Sequence, residues 1–127
     1  KKKKTVFLIG AENEVNLAKT IKQKCYLQNN IVISCNPIIT NLSILTKSKC
    51  FIGNDSGPLN LSGAIGIRSF GLFGASPPIK NINNIHALVP PKGAVDPHKY
   101  GFNPISLEEG MDLIKPEYVY KKIKKFI

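Results

Sequence analysis

The chain has no tryptophan, one methionine, two histidines and three cysteines, and each scarcity closes off a kind of chemistry. Cys25, Cys35 and Cys50 are odd in number and lack C-x-x-C spacing. With only His86 and His98 to join them, they build neither a disulfide framework nor a zinc site. Cys35 and Cys50 lie in or beside apolar runs, so all three are expected as reduced core residues of a cytosolic protein. No metal ligand set and no cofactor is expected. No apolar run approaches the length of about 20 residues that crosses a bilayer, and Lys1–Lys4 is not followed by a signal-peptide cleavage site. Secretion is not expected. G-x-G-x-x-G is absent, and with it the nicotinamide fingerprint.

Acidic residues are also scarce: 8 against 18 lysines and arginines give a formal charge of +10. That charge attracts membrane surfaces, phosphorylated substrates or nucleic acid, and it equally follows from a composition rich in lysine, asparagine and isoleucine. The lysines lack interleaved aromatics and no nucleic-acid motif is present, so nucleic acid is not an expected partner.

What is present is an alternation of short apolar runs and helical periods. In 127 residues it predicts one domain, residues 1–127, with no repeat or low-complexity linker. Thr5–Ile9 is a strand ending at Gly10, and Val15, Leu17, Ala18, Ile21 and Cys25 recur on helical spacing through Tyr26. Ile31–Cys35 is a second strand. Asn36-Pro37 opens a helix over Ile38–Thr46, assigned to packing through Ile38, Ile39, Leu42 and Leu45. Ile85–Val89 is a further strand, and residues 79–84 and 90–104 are loops. His86 is expected as a buried strand residue and His98 at the surface, neither beside a nucleophile. Ser106–Glu109 has the form of a capping sequence that Gly110 soon interrupts. Pro116 starts a last helix with Tyr118, Val119, Ile123 and Phe126 inward. Its outer lysines, Lys121, Lys122, Lys124 and Lys125, are either a solvated face or a membrane-surface contact. The fold class is α/β: a three-layer, Rossmann-like parallel sheet.

The chain is organised around KCFIGNDSGPLNLSGAIGIRSFGLFGASPP, Lys49–Pro78. Cys50–Gly53 is a buried strand, Asn54–Pro58 a polar turn, Leu59, Leu61, Ala64 and Ile65 a short helix, and Arg68–Phe73 a strand. Pro58 suits the first helical turn. In a parallel sheet, ligands bind at the carboxyl ends of strands, where helix N-termini offer N–H groups to anions. Asp55, Ser56 and Gly57 are placed there. Asp55 competes with an anion, and suits a bond from a hydroxyl or amine, or a cap. A helix cap with a turn and a ligand site are both open on these residues alone. The same holds at the first turn, where Glu12 and Glu14 fit the positive end of a helix dipole or a contact to ribose hydroxyls.

Ile52–Gly66, followed by Leu72-Phe73-Gly74-Ala75-Ser76-Pro77, resembles the signature of glycosyltransferase family nine, the ADP-heptose:lipopolysaccharide heptosyltransferases. The family form is N-D-S/T-G-P-M-H-L-A-A-A-L-G, then a strand ending L-F-G-x-T-x-P. Gly10 and Glu14 resemble its G-x-x-x-E turn, and Met111–Val119 its closing M-x-x-I-x-P-E-x-V. The resemblance implies the C-terminal, donor-binding half of a GT-B enzyme, in which two Rossmann-like domains face each other. It implies inverting, metal-independent transfer of heptose from an ADP-sugar to a lipopolysaccharide core acceptor at the inner membrane surface. It places donor binding on Gly10, Glu14 (ribose), Asp55 (a hydroxyl), Ser56 and Gly57 (diphosphate), with Asn60 where the family usually has histidine, near the donor phosphates. It puts the catalytic base in an N-terminal acceptor domain that these 127 residues are not expected to contain, so no catalytic residue is assigned. The chain alone is expected to bind nucleotide weakly and turn nothing over. A non-catalytic ADP-sugar-binding module, or a basic protein on nucleic acid or anionic membrane, are the alternatives.

Overall fold

The computed structural model describes residues 4–74, 84–90 and 107–127, with side chains from 110 onward in the last segment. The expectations for Ala75-Ser76-Pro77, the loops at 79–83 and 91–104, His98 and Ser106 fall outside the described residues. The chain falls into two compact units, Lys1–Lys47 and Ser48–Ile127.

In the first unit, β1 (Val6–Ile9) pairs in parallel with β2 (Ile31–Ser34), from Val6↔Ile31 to Ile9↔Ser34. Parallel neighbours need a crossover, and a short 3₁₀ turn (Glu12–Glu14) and α1 (Val15–Lys24) supply it. α1 stops short of Tyr26 because Cys25 is extended, its N–H bonded to Lys22 O. Of the apolar period along α1 only Ala18 is buried; Leu17 and Ile21 are exposed. α2 (Ile38–Lys47) follows β2. Its buried face keeps only part of the apolar period: Leu45 is inward as expected and Leu42 half-buried. Ile38 and Ile39 are exposed, whereas Asn41 and Leu45, one turn apart, are buried. The reason is a polar network. Ser34 Oγ donates to Asn41 Oδ1 at 2.6 Å, Asn41 Nδ2 to Asn36 O at 3.0 Å, and Asn36 Nδ2 to Ser34 Oγ at 3.1 Å. An inward asparagine is tolerated because its amide is satisfied.

In the second unit, β3 (Phe51–Asn54), β4 (Ser69–Leu72) and β5 (Ile85–Leu88) form a parallel sheet in that order. α3 (Gly57–Ala64) is the crossover between β3 and β4. Side chains alternate across the strands, and the two faces fill separately. Leu59 of α3 packs with Phe73 and Ile85 on one face; Ile123 of α5 (Pro116–Ile123) packs with Phe70 and Leu88 on the other. Helix, parallel sheet and helix therefore form three layers in this unit, as the sequence predicts. Gly71 lets α3 approach: a Cβ there would meet the Phe73 ring at 2.5 Å and Leu59 Cδ2 at 2.6 Å. Between the same elements, Ser62 and Ser69 hydroxyls share a buried 2.7 Å hydrogen bond. Gly66, at φ +84°, ends α3. Its N–H reaches Gly63 O and that of Ile67 reaches Ser62 O, closing the helix as a Schellman motif.

One local expectation is corrected. The helix over 107–112, α4, runs through Gly110 instead of breaking there. Gly110 is buried, and a Cβ on Gly74 would meet Gly110 C at 2.7 Å and Met111 N at 2.5 Å, so both glycines serve a close backbone approach. The cysteines form no disulfide and are half-buried, Cys50 against the Phe70–Leu88–Ile123 cluster.

Candidate functional site

The polar turn at the carboxyl end of β3 forms because Asn54-Asp55-Ser56-Gly57-Pro58 cannot extend a strand and opens a helix. β3 ends at Asn54, Ser56 is the N-cap of α3 in extended conformation (φ −154°, ψ 172°), and Pro58 stands in the first turn. The Ser56 side chain does not cap the helix; its hydroxyl turns back and donates to Asn54 O at 3.2 Å. Asn60 N–H already bonds Ser56 O at 3.1 Å, and Pro58 has no N–H. The exposed first-turn donor left at the end of α3 is therefore Gly57 N–H, because Leu59 has no accessible surface. Among the described residues nothing lies within 4 Å of a Cβ placed on Gly57. Asp55, Ser56, Gly57 and Asn60 are all exposed, so the structure brings these four together on one solvent-facing turn. Leu59 between them is fully buried and anchors that turn to the core.

The turn after β1 is built differently. Glu14 closes it in both directions: its N–H bonds Ala11 O at 2.9 Å, and its Oε2 accepts from Ala11 N–H at 2.7 Å. The capping use of this carboxylate is thus realised through one oxygen. Gly10 donates to Ser34 O at 3.4 Å. A Cβ on Gly10 would come within 3.1 Å of Glu14 Oε2 and 3.4 Å of Cys35 Sγ, so the glycine keeps this corner narrow. Glu14 and Gly10 are adjacent here, at the carboxyl end of β1. Glu12 is exposed in the 3₁₀ turn and joins no contact of this corner.

The Ser34–Asn36–Asn41 network, which sequence reasoning did not find, fixes the chain leaving β2 beside Gly10. Its signal was an asparagine one turn before Leu45 on α2, too weak to read without its partner on β2. His86, expected as a buried strand residue, is exposed and stacks on Phe70 with ring centroids 5.3 Å apart. A shallow hollow of about 350 Å³ is lined by Tyr26–Asn30. It precedes β2, at the amino end of that strand, whereas parallel sheets take ligands at carboxyl ends. Among the described residues no three of His, Cys, Asp and Glu are grouped to hold a metal ion, and no helix is long and apolar enough to cross a membrane.

Parallel pairing throughout, crossover helices and a polar turn opening a helix at a strand's carboxyl end define a Rossmann-like α/β protein. Its family is shown by sequence: the model for glycosyltransferase family 9 (heptosyltransferase) matches residues 1–86, and the chain belongs to that family. The match runs from β1 into β5 and includes both turns described above. No curated protein matches the chain, and no solved structure does. Family membership makes glycosyl transfer the chemistry of this chain, with a nucleotide-sugar donor and an acceptor as its substrate classes.

Proposed function

We propose that this chain is the donor-binding part of a family 9 glycosyltransferase and that its donor is an ADP-sugar, with heptose delivered to a lipopolysaccharide core acceptor. The observation that carries the proposal is the turn at Asp55–Gly57. It presents Gly57 N–H, exposed to solvent, at a helix N-terminus, where the partial positive charge favours a diphosphate. The Ser56 hydroxyl is turned away from that donor. A diphosphate approaching there meets the Gly57 amide and, among the described residues, no side-chain bulk. Charge that builds on the departing diphosphate as the glycosidic bond to the donor breaks is stabilised by the same preorganised helix end. Asp55, exposed at the strand end, accepts from a hydroxyl of the sugar. Asn60 offers a neutral amide on the first turn of α3, where the family usually has histidine.

At the other turn, Glu14 holds Ala11 N–H through Oε2, which leaves Oε1 to accept from a ribose hydroxyl beside Gly10. In a GT-B enzyme the general base and the acceptor contacts come from an N-terminal domain. In this proposal the chain supplies donor recognition, with no metal or other cofactor, and the complete enzyme works on the cytoplasmic side of the inner membrane.

Calorimetric titration with ADP, AMP and GDP tests the proposal. ADP binds, AMP binds more weakly for want of the second phosphate, and GDP binds least. Equal affinity for ADP and GDP removes the adenine assignment. Absence of binding by all three removes the donor role and leaves the family and fold as they stand.

A further inference from the structure

Among the described residues of the second unit, lysines concentrate at the end of the last helix. Between Cys50 and Ile67 there is no lysine or arginine, while four lysines fall within Lys121–Lys125. All four are exposed. α5 turns Ile123 into the core against Phe70 and Leu88, with Val119 and Phe126 half-buried beside it. The helical period then carries Lys121, Lys124 and Lys125 round the outward side. Arg68 joins them from the segment before β4: its guanidinium carbon is 4.7 Å from the Phe126 ring centroid, and Lys125 Nζ is 4.8 Å from it. Lys122 Nζ lies 5.6 Å from the Tyr118 ring. Phe126 in turn stacks against His86 and tilts against Phe70. The cations therefore sit on an aromatic base packed onto the sheet, and Glu117 is the one carboxylate on α5.

We infer that the outer face of α5, together with Arg68, docks on anionic phospholipid headgroups. The contact is electrostatic and does not insert, because the apolar stripe of α5 is already used in the core. Clusters of four or more such cations suit an anionic leaflet, each adding about 1 kcal/mol near the surface. Tyr120, 61% exposed, borders the face and has the amphipathic character found at membrane–water boundaries. Nucleic acid fits less well. Phe126 and Tyr118 already carry cations over their rings, so neither of these two rings is offered to a base. This inference does not rest on the donor assignment, and its test leaves that assignment untouched.

Flotation with vesicles of equimolar phosphatidylglycerol and phosphatidylcholine, against phosphatidylcholine alone, tests it. The chain partitions onto the anionic vesicles only, and added salt releases it. Replacing Lys121, Lys122, Lys124 and Lys125 by Gln lowers partitioning by at least about tenfold. Replacing Lys4, Lys19, Lys24 and Lys47, which removes the same charge from the other unit, lowers it far less. A circular dichroism spectrum establishes that each variant is folded. The pair Lys121→Gln and Lys124→Gln, whose side chains make no ring contact, gives an intermediate loss without disturbing the aromatic base. Equal losses from the two four-lysine variants overturn the inference and leave only net charge. So does binding to duplex RNA that is tighter than vesicle binding and vanishes with the α5 lysines.

Discussion

The same strand–turn–helix device occurs twice, after β1 and after β3, and the two copies treat their polar groups in opposite ways. After β1 the acid is turned inward on the backbone: Glu14 accepts from Ala11 N–H, and Gly10 keeps the corner narrow. After β3 the N-cap hydroxyl leaves the helix for Asn54 O, and the glycine faces open space among the described residues. One turn is closed by the side chain of its own glutamate, and in the other the serine leaves the helix end. The supports differ as well. α3 is anchored by Leu59 among Phe73 and Ile85, whereas the chain after β2 is held by a serine and two asparagines. A family match across both turns therefore says less about each residue's task than the hydrogen bonds do.

Leu59→Ala attacks the anchor of the open turn. It removes a fully buried side chain and should cost about 2–5 kcal/mol of unfolding free energy, read by urea denaturation. A loss below that range would mean that α3 is not held by the core. Ser34→Ala attacks the polar support of the other unit. It leaves Asn41 Oδ1 without its donor and should cost about 1–3 kcal/mol, while a neutral result would show that water replaces the serine. Glu14→Ala opens the closed turn at about 0.5–1 kcal/mol, within the range for lost caps. Glu14→Gln should leave stability nearly unchanged, because an amide oxygen still accepts from Ala11 N–H. If Oε1 contacts ribose, the same Gln substitution weakens ADP binding measured by calorimetry, separating the cap from the contact. Asn60→His is the smallest effect: ADP affinity should rise by less than about tenfold, the scale of one improved hydrogen bond.

All five strands and the helices α1, α2, α3 and α5 were legible as apolar runs and periods, and parallel pairing followed from their alternation. What failed depended on partners distant in sequence. Apolar periodicity put Ile38 and Ile39 of α2 inward, because nothing local reveals that Ser34 and Asn36 will satisfy a buried Asn41. Gly110 read as a helix breaker, because the backbone that packs against it is Gly74, 36 positions earlier. At the two turns the residues stood out, but their roles did not. Glu14 as a cap and Glu14 as a ligand have the same sequence, and so do a Ser56 that caps and one that turns away.

The central claim is that the β3 turn is open for a diphosphate, and Gly57→Leu tests it most directly. The backbone at Gly57 has no positive φ and, among the described residues, no neighbour within reach of a Cβ, so the variant should unfold with the same midpoint as the parent chain. Calorimetric titration of parent and variant with ADP is the measurement. Binding by the parent and none by a fully folded Gly57→Leu is the predicted result. Equal ADP affinity in the two proteins would contradict the account, since a diphosphate at that turn cannot share its place with a leucine side chain.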